Sequence, residues 1–482
     1  MAVDAARGDT VGVTQAHSPN YLVISDLHLG EDIGPDPVPS DGDSPLRSAE
    51  ARLIAFLGHY TANRSDDRPW TLIVNGDMVD FLSVCVTPLE VDDLRGWSED
   101  DHWFGLGTRQ RGAVLKIRCV FERHHAVFEA MAQFLKAGNT VAVVIGNHDA
   151  EFHWPEVQHA LREQLRRLSD DDAARRLEFH PWCFFEEGVL WAEHGHQYDG
   201  YCSFDALLDP VDPTDEQELD LNVGSAVMRF VGNHHPLDRA QYWDGIDPVT
   251  VATWFSRIGP RRSAEVLLSY GSMVGRLLER FFARWMSPDR VANRRRRHEE
   301  RLERLAARLQ VAAPALRQLD AMRRRPVVRS FASLLQGLML DRVLIGAGAL
   351  LAIAIGSAYL PWMAMPIGLL SVVCLVIVAD QQLASRREPI DPDGAMRRAS
   401  RVIRRTLRAP VVVFGHSHEP VAERLDDGWY YNTGTWVPLD RPGLSRAFTH
   451  VRILRRQGKA PSAALLQWRN GQSLAFDPTA PC

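Results

Sequence analysis

Short apolar runs, each closed by a polar tail, recur through the first two hundred residues and again near the C-terminus. Tyr21-Leu22-Val23-Ile24 ends in Ser25-Asp26-Leu27-His28, and Thr71–Val74 ends in Asn75-Gly76-Asp77. Val141–Ile145 delivers Gly146-Asn147-His148-Asp149, Val189–Ala192 delivers His194-Gly195-His196, and Val411–Phe414 delivers Gly415-His416-Ser417-His418. Such runs, rich in β-branched residues between polar breaks, predict buried strands. Between them the apolar spacing is helical, over Leu46–Tyr60, over Ala113–Ala137 with a stop at Gly138-Asn139, and over about Glu156–Leu168. Gly30 to Ser44, dense in Gly, Pro and Asp, reads as a loop. Strand–helix alternation predicts an α/β core with both sheet faces covered, and in such folds ligand chemistry collects at the carboxyl ends of strands. All five polar tails stand there. Five unrelated loops would not explain why each strand ends with Asp, Asn or His. The sharp turn that lets His416 and His418 reach different points is expected at Gly415.

After Asp205 the pattern changes to helical segments without metal-type motifs. Ala264–Met286 is rich in Leu, Phe and Trp with Arg276, Arg280 and Arg284 interleaved, and Arg294–Arg297 opens an Arg/Glu/Leu/Ala helix to about Leu309. One account is a solvated helical pair; the sharper one is an amphipathic surface for anionic lipid headgroups. Val343–Ala379 contains no charged residue. It divides near Pro361 into two helices of about 18 residues, about 27 Å each, at the lower margin for spanning a bilayer. Tyr359 and Trp362 flank the turn as an interfacial belt would, and Pro366 falls in a first helical turn. A membrane hairpin is therefore expected rather than a buried one.

Topology agrees. Asp26, Asp77, Asn147 and His194 precede this stretch while His416 and His418 follow it, so one shared centre requires an even number of spans. Arginines flank the hairpin (Arg323–Arg325, Arg329 and Arg342 before; Arg386, Arg387, Arg397 and Arg398 after), and its turn has no Lys or Arg. The positive-inside rule then puts both flanks in the cytoplasm. The expected organisation is a flexible extension over 1–20, a catalytic core over 21–205, a helical Arg-rich insertion over 206–342, a transmembrane hairpin over 343–379, and the rest of the core over 400–475. Trp429–Trp436 reads as strand and turn, and Arg446–Leu454 and Ala463–Trp468 as closing strands.

Composition changes this picture little. At 45% hydrophobic and 24% charged residues, the 482-residue chain is that of an ordinary folded protein. The net charge of −6 gives no global hint of nucleic-acid binding, and nucleic acid is not expected as a partner, although acid gathers in the first half and arginine over Arg262–Arg329. Lysine appears only at Lys116, Lys136 and Lys459, which we read as coding bias. Six cysteines without a Cys-x-x-Cys argue against a disulfide framework or a thiolate zinc site and fit a reducing compartment. Residues 1–20 hold Asp4 and Asp9 and no apolar stretch, unlike a secretory signal.

Carboxylate, amide and imidazole donors without thiolate suit Mn, Fe, Zn or Co. A carboxylate can bridge two such ions, and the pair can clamp a phosphate and turn a bound water into a nucleophile near neutral pH. A proton donor is wanted opposite, for the leaving oxygen. The residues Asp26-Leu27-His28, Gly76-Asp77-Met78-Val79-Asp80, Gly146-Asn147-His148-Asp149, His194 and Gly415-His416-Ser417-His418, in this order and strand context, resemble the calcineurin-like metallophosphoesterases. That resemblance implies a four-layer α/β/β/α sandwich with two divalent ions, Mn foremost and Fe, Zn or Co as alternatives. It implies Asp26, His28 and His418 around one ion, Asn147, His194 and His416 around the other, and Asp77 as the bridge. His148 would stabilise charge or protonate the leaving group, with Asp149 orienting its ring. The family's His-Gly pattern favours His194 over His196. Asp80 is expected as a structural hydrogen-bond partner, and His124 and His125 have no assigned role. Arg109, Arg111 and Arg118 are candidate phosphate contacts, with solvation as the default.

Gly-Asp-Met-Val-Asp-Phe, His-Gly-His-Gln-Tyr-Asp and Asn-Thr-Gly-Thr-Trp are similar to the branch that contains UDP-2,3-diacylglucosamine pyrophosphatases, cytoplasmic enzymes acting on a lipid-linked nucleotide at the membrane surface. The long insertion and the hairpin depart from that branch. The expectation is a membrane-anchored phosphoester or pyrophosphate hydrolase at the cytoplasmic face, with the lipid bilayer and a lipid-linked substrate as partners. Against it stand a nuclease or cyclic-nucleotide phosphodiesterase on the same scaffold, and a non-catalytic membrane scaffold, which the complete ligand set disfavours.

Overall fold

Alternation within the first strand separates two cores. In β1 (Asn20–Ile24), Leu22 and Ile24 enter one apolar cluster while Tyr21 and Val23 enter another. The computed structural model describes residues 18–34, 45–91, 95–235, 248–359, 361–386, 391–437, 446–456 and 458–477. Most of the expected N-terminal extension, the loop from 35 to 44, Leu360, Arg387 and Cys482 lie outside them. The chain is a mixed α/β protein with two sheets. Strand β1 pairs in parallel with β2 (Trp70–Asn75), β2 with β3 (Thr140–Val144) and β3 with β4 (Leu177–His180). The second sheet begins with β5 (Cys183–Glu186) and β6 (Leu190–Glu193) and continues with β7 (Val411–Phe414), β8 (Pro420–Leu425) and β9 (Gly428–Thr433), in the order β5-β6-β7-β9-β8. On its other edge β1 takes β10 (Thr449–Arg456) antiparallel, followed by β11 (Lys459–Arg469) and β12 (Gln472–Ala475), completing seven strands.

The pleat of β7 repeats the division: Val411 and Val413 face the first sheet, and Val412 and Phe414 face away. Four layers result. Helices α1 (Pro45–Ala62), α3 (Gln110–Arg123), α4 (His125–Lys136) and α5 (Pro155–Leu168) cover the first sheet. The second sheet is covered by α9 (Pro288–Arg308), α10 (Ala313–Asp320) and α14 (Pro392–Leu407). The single helix expected over Ala113–Ala137 is two, α3 and α4, broken at His124, whose backbone leaves the helical region (φ −108°, ψ 29°). Its buried ring accepts the Gly30 N–H at Nε2, at 2.9 Å, and meets Glu50 through Nδ1, tying the loop after β1 to these helices.

Helix α8 (Pro248–Trp285), broken at Gly259-Pro260, runs beside the core. Three of its arginines, Arg276, Arg280 and Arg284, turn to the core, while Arg257, Arg261 and Arg262 are exposed. Arg276 pairs with Asp100 of α2 (Glu99–Phe104), Arg280 with Asp212 and Glu218, and Arg284 with Asp212 and Asp220. In α9, Arg294 bonds Asp220 at 2.6 Å and Asp205 at 3.1 Å, while Arg297 and Arg301 hold Asp209. These side chains are drawn to local carboxylates, so the arginines named here are not free to serve lipid headgroups. Arg109 and Arg111 are likewise engaged: Arg109 holds Asp215 and Glu218, and Arg111 stacks on Trp97 and donates to the Arg95 carbonyl.

From α11 (Phe331–Gly337) the chain enters α12 (Leu340–Tyr359), turns, and returns as α13 (Met365–Arg386). Both helices are long and apolar enough to cross a membrane, and neither is buried in the protein. Arg342 and Asp380, the charges that bound the apolar stretch, pair with each other at 3.0 Å across the open end of the hairpin. Twenty residues in α12 rise about 30 Å, a bilayer's hydrocarbon thickness.

Candidate metal centre

The five polar tails follow β1, β2, β3, β6 and β7, and each of these strands has at least one parallel neighbour. Their ends are stitched within each sheet, Asp26 N–H to the Gly76 carbonyl at 3.1 Å and Gly415 N–H to the His194 carbonyl at 2.9 Å, and across the sandwich by Asn75 Nδ2 to the Glu193 carbonyl at 2.9 Å. Leaving a strand at once into a pocket demands an unusual backbone. Asp26, His28, Asp77, His416 and His418 all have φ between +46° and +70°. The left-handed region costs a non-glycine residue about 1–2 kcal/mol and gathers at functional sites. The sharp turn expected at Gly415 is thus made by the two histidines themselves. Gly415 is required for another reason: a Cβ there would lie 2.6 Å from Ser25 Oγ and 2.9 Å from Asp26 Oδ2. Gly146 is similar, since its Cβ would lie 2.2 Å from Asp77 Oδ1.

Two clusters with metal-ligand geometry share Asp26: Asp26 with His28 and His418, and Asp26 with Asp77 and His194. His418 Nε2 lies 3.1 Å from Asp26 Oδ1, and His194 Nε2 lies 3.1 Å from Asp77 Oδ2. The same Asp77 Oδ2 is 4.0 Å from His28 Nε2, so it stands between the two groups. Asp77 Oδ1 accepts the His148 N–H at 2.9 Å. His194 Nδ1 faces the Asn75 carbonyl at 2.9 Å. A carbonyl only accepts, so Nδ1 carries a proton and neutral Nε2 offers a lone pair to a carboxylate oxygen. Two acceptors at that distance need a cation between them. Without a metal a proton fills that place: burial pushes the His194 ring down, but Asp77 outweighs it and lifts its pKa to about 9. Asn147 Oδ1 is buried with no hydrogen-bond partner among the described residues, as a metal-ligating amide oxygen would be. The donor set fits a pair of divalent cations.

His416 stands a little apart. Its ring is 5.3 Å from that of His194, and its Nε2 lies 3.4 Å from Asp199 Oδ2, in a third cluster with Cys202. Sequence reasoning passed over Asp199; the signal was available in His-Gly-His-Gln-Tyr-Asp, whose last residue it is. Glu193 was passed over too. Buried at the end of β6, it accepts from Trp182 Nε1, Gln197 Nε2 and the Tyr198 hydroxyl at 2.6–2.9 Å, holding the turn that follows His194. His196 is buried 5.6 Å from the His194 ring with neither nitrogen hydrogen-bonded among the described residues, and burial holds it neutral.

Around His148 the structure corrects the expected partner. Asp149 spends its two oxygens on backbone, accepting Gly146 N–H at 2.6 Å and Met78 N–H at 2.7 Å. The carboxylate on the His148 ring is Asp80, at 2.9 Å from Nδ1, and its other oxygen meets His28 Nδ1 at 3.3 Å. Sequence neighbours on a tight turn point apart, whereas Asp80 approaches from the adjacent strand end. Burial pushes His148 down, yet Asp80 and Asp77 outweigh it and hold its pKa up at about 10. Burial, with Asp77 nearby, pushes Asp149 up to about 7.

The profile of the calcineurin-like phosphoesterase family matches residues 19–261, half of the chain. The chain belongs to that family. It is accordingly a metal-dependent phosphoesterase, of a family that typically uses a dinuclear metal centre. The match is to the family at large and does not single out the pyrophosphatase branch. No curated protein matches the chain. All five described cysteines of this phosphoesterase are free.

Proposed function

We propose that this phosphoesterase is held in the membrane by its hairpin and hydrolyses a phosphoester or pyrophosphate of a lipid-linked substrate at the cytoplasmic face. The observation that carries the reading is the pair of donor clusters sharing Asp26, with Asp77 Oδ2 between them. Asp26, His28 and His418 would hold one ion, His194, Asn147 and His416 the other, and Asp77 would bridge. When bound, two such ions, Mn foremost, clamp a phosphate and supply an activated water. The protein's own groups do the rest. His148, protonated and fixed through Nδ1 by Asp80, presents Nε2 to give a proton to the leaving oxygen. Burial of the carboxylates keeps bulk water from screening the charge that develops.

Membrane attachment is supported by the two unburied apolar helices and by topology. Strands on both sides of the hairpin pair within the same two sheets, as β7 with β6 and β10 with β1. The hairpin must therefore leave the membrane on the side it entered, and the flanking arginines favour the cytoplasm. Arg276, Arg280, Arg284, Arg294, Arg297 and Arg301 of the basic stretch are matched by carboxylates, which takes support from the nuclease reading. The test is a substrate panel on detergent-solubilised protein with Mn, covering a nucleotide–lipid pyrophosphate, a simple phosphodiester, a monoester, a cyclic nucleotide and single-stranded DNA. Preference for the lipid pyrophosphate is expected, with Asp77→Asn losing at least about 10²-fold, because metal charge stabilisation is worth several kcal/mol. Uncleaved substrates throughout, or full activity in Asp77→Asn, would remove the proposal.

A further inference from the structure

Helix α8 has two apolar faces, and only one is used. Val266, Met273 and Leu277 are buried against Phe230, Val328 and Leu334, and Arg276, Arg280 and Arg284 lock an adjacent strip of the helix to the core acids. The remaining face is also apolar but uncovered. Leu268, Trp285 and Met286 are 74%, 73% and 71% exposed, and Leu267 and Phe282 are more than 40% exposed. Leu267 and Trp285 lie five turns apart on one line of the helix, as do Leu268 and Met286, at about 3.6 residues per turn. Between these lines fall Gly271, Gly275, Leu278 and Phe282, so no charge interrupts the stripe. A uniform apolar stripe of this size on an otherwise charged helix marks a contact surface.

We propose that this face of α8 lies in the interface of the lipid bilayer, parallel to its plane, as a second membrane contact beside the hairpin. The inference rests on the membrane reading of α12–α13 and adds to it. Continuity with that hairpin chooses the occupant. Phe331 stands 6.2 Å, ring to ring, from Phe282 and opens α11, which only Leu338 and Met339 separate from α12. The Tyr270 hydroxyl donates to the Leu338 carbonyl, and Leu340, the first residue of α12, packs on the same cluster as Met273 and Leu277. The entry of the hairpin is thereby fixed to α8. Because α8 is docked along its length, it cannot insert across the membrane and can only lie on it. Apolar side chains with Trp285 at one end suit such a helix. Arg276, Arg280 and Arg284 contribute nothing to this contact, being turned toward the core.

The test places a spin label at Leu268→Cys, Trp285→Cys and, as a reference in the hairpin, Leu351→Cys, in the full chain with its exposed Cys374 replaced. The protein is reconstituted in phosphatidylcholine–phosphatidylglycerol vesicles, and collisions with oxygen and with a water-soluble nickel chelate are compared. At positions 268 and 285 oxygen collisions should exceed nickel collisions several-fold, as at 351. Nickel dominating at 268 and 285 while 351 stays in lipid would overturn this inference and leave the hairpin standing. Exclusion of both agents would also overturn it, showing a protein partner such as a second copy. Nickel dominating at all three would remove the membrane reading itself. A photo-crosslinking amino acid at Trp285, in the otherwise native chain, gives an independent reading: crosslinks to lipid are expected, and crosslinks only to protein would overturn the proposal.

Discussion

The metal pocket and the seam that joins α8 and α9 to the core are both crowded with buried charge, yet they balance it in opposite ways. In the seam each arginine meets a carboxylate: Arg294 has Asp220 and Asp205, Arg284 has Asp212 and Asp220, and Arg297 and Arg301 share Asp209. In the pocket Asp26, Asp77, Asp80 and Asp149 are all buried, and the ionisable side chains that meet the first three are histidines. Matched charge needs nothing further and fixes a geometry. Unmatched acceptors at about 3 Å define where a cation belongs.

The most severe way to break the seam is to remove its most buried cation. Arg294→Met leaves Asp205 and Asp220 under-compensated, and a broken buried pair costs about 3–5 kcal/mol. Hydrogen exchange should show protection falling by that amount in residues 205–220 and 288–308, while Mn content stays unchanged. If metal content fell equally, the two charge systems would not be separate. Replacing Asp220 as well, with leucine, should restore part of the loss.

A smaller change sharpens the pocket side. Asp80→Asn keeps the shape of the turn but takes the carboxylate from both His148 Nδ1 and His28 Nδ1. Outer partners of this kind are worth about 10–100-fold in activity or metal affinity. The loss should fall on kcat, and its pH profile should show the His148 limb moved to lower pH. Asp149→Asn, by contrast, should disturb folding of the turn through its two backbone bonds and move the His148 limb less than Asp80→Asn does. The opposite result would return the orienting role to Asp149.

Much of this was legible in sequence, for a local reason. A buried strand closed by ligand residues occupies consecutive positions, so β1, β2, β3, β6 and β7 announce themselves with their tails. The uncharged hairpin is local too, and its two helices lie where the break at Pro361 puts them. What stayed hidden depends on distant pairing or on side-chain direction. Apolar spacing runs unbroken through His124, so periodicity could not see the helix end there. The arginines of α8 looked like a lipid-facing strip because their acids are distant in sequence: Asp212 lies 68 residues before Arg280, Asp220 64 before Arg284, and Asp100 176 before Arg276. Asp149 adjoins His148 in sequence, but direction at the turn gives the ring to Asp80.

The gentlest probe is pH. Asp212 accepts from Thr214 and sits between Arg280 at 3.1 Å and Arg284 at 2.9 Å. Burial pushes its pKa up, but Arg284, Arg280 and the Thr214 bonds outweigh that and bring it down to about 2, against 3.8 unperturbed. A depressed carboxyl contributes stability above its unfolded pKa, here about 2 kcal/mol, and loses it as pH falls through the folded value. The seam should therefore hold its full strength down to about pH 4 and weaken between there and pH 2. Asp212→Asn should be less stable by about 2 kcal/mol at neutral pH, with the gap to the native chain closing over that window. A gap that stayed constant into strong acid would mean that Asp212 acts through shape alone and that the seam is not held by matched charge.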